Sequence, residues 1–175
     1  EVESWTYLTV IERLRAAALD HPFVPTNSLE GSSVGPADKT ATVESPFSDD
    51  ESLVIPPLSP DVSVVHGVAG DRDGNIVVSP IQSEGHWGAY AADTVIATVE
   101  EVVDGDTIRE YGDQTGVPSY AVDAVVETPF GAHPGPVFNP HGVGDVSGYG
   151  YDREFYMDFR EASGDAEALE AWTEQ

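Results

Sequence analysis

The chain has 175 residues, a length that suits one domain with a hydrophobic core. Its 32 Asp and Glu against seven Lys and Arg give a formal charge of −25, which excludes nucleic acid and anionic membranes as main partners, because both bind clustered cations. Cysteine is absent, which excludes disulfides, thiolate nucleophiles and Cys-ligated metals, and no apolar run approaches the roughly 20 residues of a membrane span.

The first predicted element is a helix, because apolar residues recur at intervals of three or four from Tyr7 to Ala18. Ser4 is its predicted N-cap, and His21 followed by Pro22 predicts its end. Residues 25–60 are rich in Ser, Gly and Pro. They are predicted to form a long irregular excursion with few regular elements, mobile around residues 34–42.

Four apolar runs predict the strands of the core, at residues 62–65, 76–78, 95–99 and 121–126. Continuous apolar runs are typical of parallel strands that are buried on both faces. Short helices are predicted between them, at residues 85–92 and 105–111. The alternation of strands and helices predicts an α/β layer fold.

The remainder of the chain is predicted to be a loop followed by two helices. Residues 129–150 are rich in Gly, Pro and His, and residues 151–175 contain helical patterns at 152–162 and from about 166 to 172. No internal repeat is visible.

The segment Asp-Arg-Asp-Gly-Asn at residues 71–75 resembles a calcium loop only superficially. With Gly74 in the sixth position of an EF-hand, Pro80 occupies the twelfth, where Glu is required. Because Gly and Asn tolerate positive φ, the segment predicts a structural turn, and direct contact of Asn75 with a ligand is the alternative.

Neither a metal site nor a dinucleotide site is predicted. The histidines lie at 21, 66, 86, 133 and 141, without the close helical spacing of a zinc enzyme. The Gly-rich residues 142–148 have the wrong spacing for a Rossmann loop, and no strand precedes them.

Polar residues at the predicted strand ends are candidate functional groups. His66 ends the first strand and Glu100-Glu101 follow the third, a position that often carries function in α/β proteins. A solvated pair at a strand end is the alternative. At residues 131–134 (Gly-Ala-His-Pro), the His133 imidazole is available to donate to a carboxylate or carbonyl, and loop architecture is the alternative. Spacing alone assembles no nucleophile, base and orienting group.

The composition also resembles that of proteins from salt-loving organisms, since acidic residues are spread throughout and Lys39 is the only lysine. An ordinary acidic domain is the alternative.

Motifs in a fixed order along the chain resemble class I CoA-transferases, in particular the A subunit of the glutaconate CoA-transferase type. Pro-Asp-Val at 60–62 is followed by His66, Asp71 and Gly74-Asn75. Further motifs lie at residues 91–93, 99–103, 122–127, 129–134 and 151–156, and the Arg13–Arg15 helix with Pro22-Phe23 is similar too.

The resemblance implies a three-layer α/β/α fold with a mainly parallel sheet, the CoA-transferase-like (NagB/RpiA-type) fold. Family A subunits are much longer and carry a Gly-Gly-Phe segment in their first part, which is absent here. Residues 1–175 are therefore expected to be the C-terminal portion of a single A-subunit domain whose N-terminal part is missing.

The resemblance also implies that CoA moves from an acyl-CoA to a carboxylate through a glutamyl–CoA thioester on a partner B subunit. No catalytic residue is then expected in this chain. Ser83-Glu84-Gly85 is similar to the Ser-Glu-Asn-Gly segment around that glutamate, but Asn is missing and A subunits have a helix there.

The residues predicted to bind substrate are His133, Gly131, His66 and Asn75. CoA is expected as a substrate, with no permanently bound cofactor, in a cytoplasmic hetero-oligomer; a homo-oligomer is the alternative. Two other functions remain open, a hydrolase of CoA-bound ring-cleavage intermediates and a truncated, non-catalytic interaction module.

Overall fold

The computed structural model describes residues 2–80 and 85–174. Within them, the helices are α1 (Tyr7–Ala18), α2 (Gly85–Ala91), α3 (Gly105–Glu110), α4 (Arg153–Ala162) and α5 (Ala166–Thr173). The strands are β1 (Val24–Pro25), β2 (Ala41–Glu44), β3 (Glu51–Ile55), β4 (Val62–Gly70), β5 (Ile76–Val77), β6 (Thr94–Val102), β7 (Thr115–Val117) and β8 (Ala124–Glu127). No helix in these ranges has the length and apolarity needed to cross a membrane.

The core of the fold is a five-stranded sheet in the order β7-β5-β4-β6-β8. Strands β4, β6 and β8 are parallel, and β5 is antiparallel to both β4 and β7. The predicted α/β class is confirmed. The sheet is mixed, because the tight turn after β4 returns the chain as an antiparallel hairpin at one edge.

Apolar side chains cover both faces of this sheet, as the continuous apolar runs predict. On one face Val65, Ala97 and Val99 pack with Ala89 of α2. On the other face a second cluster contains Val68 and Val77 of the sheet, Ile108 of α3, and two residues of the segment 129–150, Val137 and Val143.

Strand bounds differ from the prediction at functionally relevant places. β4 continues to Gly70 and β6 to Val102, so that His66 and Glu100 lie inside strands instead of at or after their ends. The last strand begins at Ala124, because residues 119–121 form a 3₁₀ turn.

The prediction of few regular elements in residues 25–60 is wrong, because a three-stranded antiparallel sheet, β1-β3-β2, lies there. Its main hairpin pairs Ala41 with Val54 and Glu44 with Glu51. Val54 and Ile55 of this hairpin are buried. The turn between the two strands is rich in Ser and Pro. These residues are typical of irregular structure, which is why the sequence did not predict the strands on either side.

The N-cap of α1 is Thr6, not Ser4 as predicted. The Thr6 hydroxyl accepts the Thr9 N–H at 3.2 Å, the bond that an N-cap side chain makes. The two C-terminal helices begin as predicted, capped by Asp152 and Asp165.

Candidate functional site

Three polar side chains lie on one face of the central sheet. The parallel register pairs His66 of β4 with Thr98 of β6, and Glu100 follows two residues later on the same strand. Because side chains alternate between the faces of a strand, all three share a face. The two nine-residue strands therefore bring His66 and Glu100 together.

The Glu100 carboxylate is buried and accepts three hydrogen bonds. Its Oε1 accepts from His66 Nε2 at 2.8 Å and from the Tyr149 hydroxyl at 2.6 Å, and its Oε2 accepts from Phe130 N–H at 2.7 Å. Burial raises the pKa of this carboxyl, but the bonds from Tyr149, Phe130 and His66 outweigh burial and hold the pKa below its usual value. Glu100 is consequently an ionised group whose oxygens are all engaged.

The His66 ring is fixed through both of its nitrogens. Nδ1 lies 2.8 Å from the Thr98 hydroxyl, which in turn lies 3.3 Å from the Val65 carbonyl. Because ionised Glu100 only accepts, Nε2 carries a proton. The Thr98 hydroxyl donates to Nδ1 when that nitrogen is bare, and to the carbonyl when it is protonated.

Gly131 passes directly over the His66 imidazole. A Cβ at this position would lie 2.6 Å from His66 Cε1 and 2.8 Å from the Thr128 carbonyl oxygen. Only glycine allows so close an approach. The structure thus brings together two of the residues predicted from the sequence, Gly131 and His66.

Tyr149 links the loop after β8 to the sheet. Its hydroxyl accepts the Ala132 N–H at 3.1 Å and donates to Glu100. Burial and the bond to Glu100 together raise the pKa of Tyr149 to about 12. Tyr149 therefore stays protonated and keeps donating to Glu100.

Phe130 is a further candidate functional residue. It was not among the residues predicted from the sequence to bind substrate. It has a φ of 61°, in the region that non-glycine residues rarely adopt. Its ring packs 5.2 Å from that of Tyr149, yet 66 % of the residue is exposed. The signal was present, since Phe130 lies between Pro129 and Gly131 in the motif at residues 129–134.

The exposed face of Phe130 borders a cleft of about 300 Å³. The cleft is lined by Glu100, Glu101, Pro129, Phe130, Asp145, Val146, Ser147 and Tyr149. Its far wall is also fixed, because Glu101 Oε2 accepts the Asp145 N–H at 2.7 Å. Phe130 and Tyr149 thus form a pre-organised aromatic wall of the cleft, and both oxygens of Glu100 behind it already accept hydrogen bonds.

The side chains of His133 and Asn75 lie outside this network. His133 Nε2 is 3.0 Å from Asp152 Oδ2, and its ring packs against Phe155 at 4.8 Å. Asn75 stabilises the turn after β4, where its Nδ2 donates to Asp71 at 2.8 Å and its Oδ1 accepts the Ser119 N–H at 3.1 Å. The predicted turn is confirmed, and substrate binding by either residue stays a prediction.

Other sequence-based candidates yield no further site. Ser83 and Glu84 lie outside the described residues. In the part of the chain that the structure describes, no group of three or more His, Asp or Glu is arranged to hold a metal ion.

The chain is similar in sequence to a known protein family and to subunits of known enzymes. Residues 1–128 match the family described as Coenzyme A transferase. Over its whole length the chain is 27 % identical to the A subunit of the 3-oxoadipate CoA-transferase of Pseudomonas knackmussii, covering 59 % of that protein. Over 91 % of its length it is 32 % identical to the cholesterol ring-cleaving hydrolase IpdA subunit of Rhodococcus jostii, covering 53 % of it.

A solved structure agrees in fold. The crystal structure of glutaconate coenzyme A-transferase from Acidaminococcus fermentans superposes with a TM-score of 0.85 at 25 % identity, covering 98 % of this chain and 57 % of that one. The chain therefore spans little more than half the length of these relatives.

Proposed function

Because the chain belongs to the coenzyme A transferase family, we propose that it is the C-terminal part of the A subunit of a two-subunit CoA-transferase. In this proposal a B subunit supplies the nucleophilic glutamate, and the present chain forms one wall of the shared site. Two relatives are named as A subunits of CoA-transferases, which supports a partner of this kind.

The proposed reaction splits one difficult acyl transfer into easier steps. The partner's glutamate attacks the acyl-CoA carbonyl and expels CoA thiolate, which leaves a mixed anhydride. The thiolate then attacks the glutamyl carbonyl, giving the glutamyl–CoA thioester and the free donor acid. The acceptor carboxylate reverses both steps and leaves as the new acyl-CoA.

One observation carries this division of roles. Glu100 is the most deeply buried carboxylate beside the cleft, and both of its oxygens already accept hydrogen bonds, from His66, Tyr149 and the Phe130 N–H. A carboxylate engaged in this way is a poor nucleophile, since attack would cost it those bonds. Its role in the proposal is to position the Phe130–Ala132 backbone and the exposed Phe130 ring against the acyl group.

Co-expression with the B subunit tests the proposal. The complex is expected to exchange CoA between an acyl-CoA and a free carboxylate, and hydroxylamine trapping of the thioester is expected to label the partner. Phe130→Ala is expected to raise KM for the acyl-CoA more than it lowers kcat. CoA exchange by the isolated chain, or a label on this chain, would overturn the assignment.

Hydrolysis of a CoA thioester is the second candidate, favoured by the similarity to a ring-cleaving hydrolase subunit. The two reactions differ in the acceptor, which is water in one case and a carboxylate in the other. Release of free CoA at a rate independent of added carboxylate would identify the hydrolase. A truncated interaction module would show neither reaction, and the coding sequence upstream of Glu1 would contain no further A-subunit segment.

We also propose that the protein is cytoplasmic, hetero-oligomeric and adapted to high salt. The charge of −25 creates self-repulsion that multimolar salt screens. The melting temperature is therefore expected to fall as salt is lowered to the millimolar range, with loss of compactness measured by light scattering. A melting temperature indifferent to salt would contradict the adaptation and leave the proposed reaction unaffected.

A further inference from the structure

A second cavity lies away from the Glu100 network, between helix α1 and the small sheet. Its volume is about 640 Å³, within the range of small-molecule sites. Its walls are largely apolar and include Phe23, Val43, Val54, Ile55, Pro56 and Pro57. None of the residues that line it belongs to the cleft beside Phe130.

Arg13 lines this cavity and is almost completely buried, with 5 % of its surface exposed. Its Nε donates to the Pro56 carbonyl at 3.0 Å, and its guanidinium lies 4.2 Å from the centre of the Trp5 ring. These contacts fix the plane of the guanidinium, and among the described residues its only hydrogen bond is the one that Nε donates.

No carboxylate in residues 2–80 or 85–174 forms an ion pair with Arg13, although the chain has 32 acidic residues. Glu3, whose charge reaches Arg13, is already paired with Lys39 and accepts the Trp5 indole N–H at 3.0 Å. Burial lowers the pKa of Arg13, as expected for a cation held away from water. In the part of the chain that the structure describes, the outer nitrogens of Arg13 have no hydrogen-bond acceptor and are not sealed from solvent, so they are available to an anion from outside the chain.

We infer that this cavity binds an organic carboxylate, with the acid group on the outer nitrogens of Arg13 and an apolar body against Phe23 and Val54. A guanidinium binds a carboxylate through two parallel hydrogen bonds. The apolar walls favour a short aliphatic acid over inorganic phosphate, which has no apolar surface to bury. Lys39 and Asp38 also line the cavity, but Lys39 is paired with Glu3 and Asp38 is exposed, so Arg13 is the group that the acid binds.

Calorimetric titration of the intact chain with hexanoate tests the inference, at a salt concentration where circular dichroism shows it folded. Hexanoate is expected to bind saturably, and hexan-1-ol, which has the same chain length without the charge, to bind at least tenfold more weakly, since hydrogen bonds to charged groups are worth about this factor. Failure to bind hexanoate, or equal binding of the two, would overturn the inference.

Two arginines of the same helix provide a matched pair of variants. Arg13→Gln is expected to lower hexanoate affinity at least about tenfold. Arg15→Gln removes the same charge at an exposed position over Trp87, outside the cavity, and is expected to leave affinity unchanged. Equal losses in both would indicate general electrostatic attraction and overturn the site.

Because Arg13 is buried, Arg13→Gln risks unfolding the chain, and a second variant covers that outcome. Val43→Trp fills the cavity from a half-buried strand position while Arg13 stays in place. Hexanoate binding is expected to be lost in the folded Val43→Trp chain. Undiminished binding there would place hexanoate elsewhere and overturn the inference.

Discussion

Two histidine–carboxylate pairs in this chain have nearly the same geometry and opposite surroundings. His66 and Glu100 are 2.8 Å apart with side chains 12 % and 6 % exposed, whereas His133 and Asp152 are 3.0 Å apart with side chains 34 % and 42 % exposed. The first pair lies on strands β4 and β6 of the central sheet. The second joins a loop to the N-terminus of helix α4.

The comparison teaches that the contact distance alone does not determine what such a pair does. Glu100 accepts two further hydrogen bonds, from Tyr149 and the Phe130 N–H, so its loss would leave buried donors unpaired. Solvent and salt screen the pair of His133 and Asp152. We therefore expect the buried pair to fix the site and the surface pair to be free for contact with other molecules.

The largest effect is expected for Glu100→Gln. The amide has one accepting oxygen, so its NH₂ group must face a donor, either the Phe130 N–H or the pair His66 and Tyr149. An unpaired buried donor costs about 1–3 kcal/mol and each hydrogen bond to a charged group is worth about 1.5–3 kcal/mol, so the summed loss is expected to exceed that of the other variants. Urea unfolding followed by circular dichroism measures the loss. Glu101→Gln is the matched control, because the Glu101 carboxylate holds the Asp145 N–H on the far wall of the cleft and takes no part in the buried pair.

The pH dependence of stability checks the same pair. The pKa of Glu100 is lower in the folded chain than its usual value, which is the value expected when the chain is unfolded. Its contribution is therefore complete above that value and is lost as pH falls through the lowered folded pKa. Glu100→Gln is expected to remove this part of the loss of stability at acid pH, the acid limb of the stability curve. An acid limb identical in both proteins would mean that Glu100 is not the group responsible.

The sequence predicted four of the five strands of the central sheet, all except β7, but it did not predict this pair. Polar residues at positions 66 and 100 suggested that apolar strands had ended there. The strands continue, because His66 and Glu100 satisfy each other across neighbouring strands. Tyr149 lies 49 residues beyond Glu100 in a segment predicted only as loop, so no local spacing connects the two.

Other differences between the prediction and the structure have local causes. Both Ser4 and Thr6 are suitable N-caps, and a difference of two residues in the helix start decided between them. Gly131 stands out in the sequence only as part of a motif, and the structure supplies the physical reason, which is contact with His66. The strain at Phe130 depends on a backbone angle that composition does not encode.

Tyr149→Phe is expected to have the next largest effect, because it removes one donor from Glu100 and the acceptor of the Ala132 N–H. Loss of a hydrogen bond to a charged group costs about 1.5–3 kcal/mol. The pKa of Glu100 is expected to rise, which moves the acid limb to higher pH. Tyr151→Phe, at an exposed tyrosine stacked on Tyr156, is the control. Equal stability of the two variants would contradict the role of Tyr149.

Gly131→Ala perturbs the buried pair of His66 and Glu100 by adding a methyl group beside it, without changing any charge. The new Cβ would meet both the His66 ring and a backbone carbonyl, and the carbonyl cannot rotate away. Overpacking of this kind costs about 1–3 kcal/mol. Gly150→Ala adds the same methyl group where no heavy atom lies within 4 Å. If both variants have the same urea midpoint, the loop does not rest on His66.

The smallest effect on stability is expected for His133→Gln, which tests the exposed pair of His133 and Asp152. The variant leaves the cap of helix α4 intact, because Asp152 accepts the Phe155 N–H at 2.9 Å through its other oxygen. Since solvent screens the pair, the urea midpoint is expected to stay within experimental error of the unmodified chain. If His133 binds substrate, the complex with the B subunit should show a raised KM at this unchanged stability. A loss of stability as large as that of Glu100→Gln would mean that burial does not distinguish the two pairs.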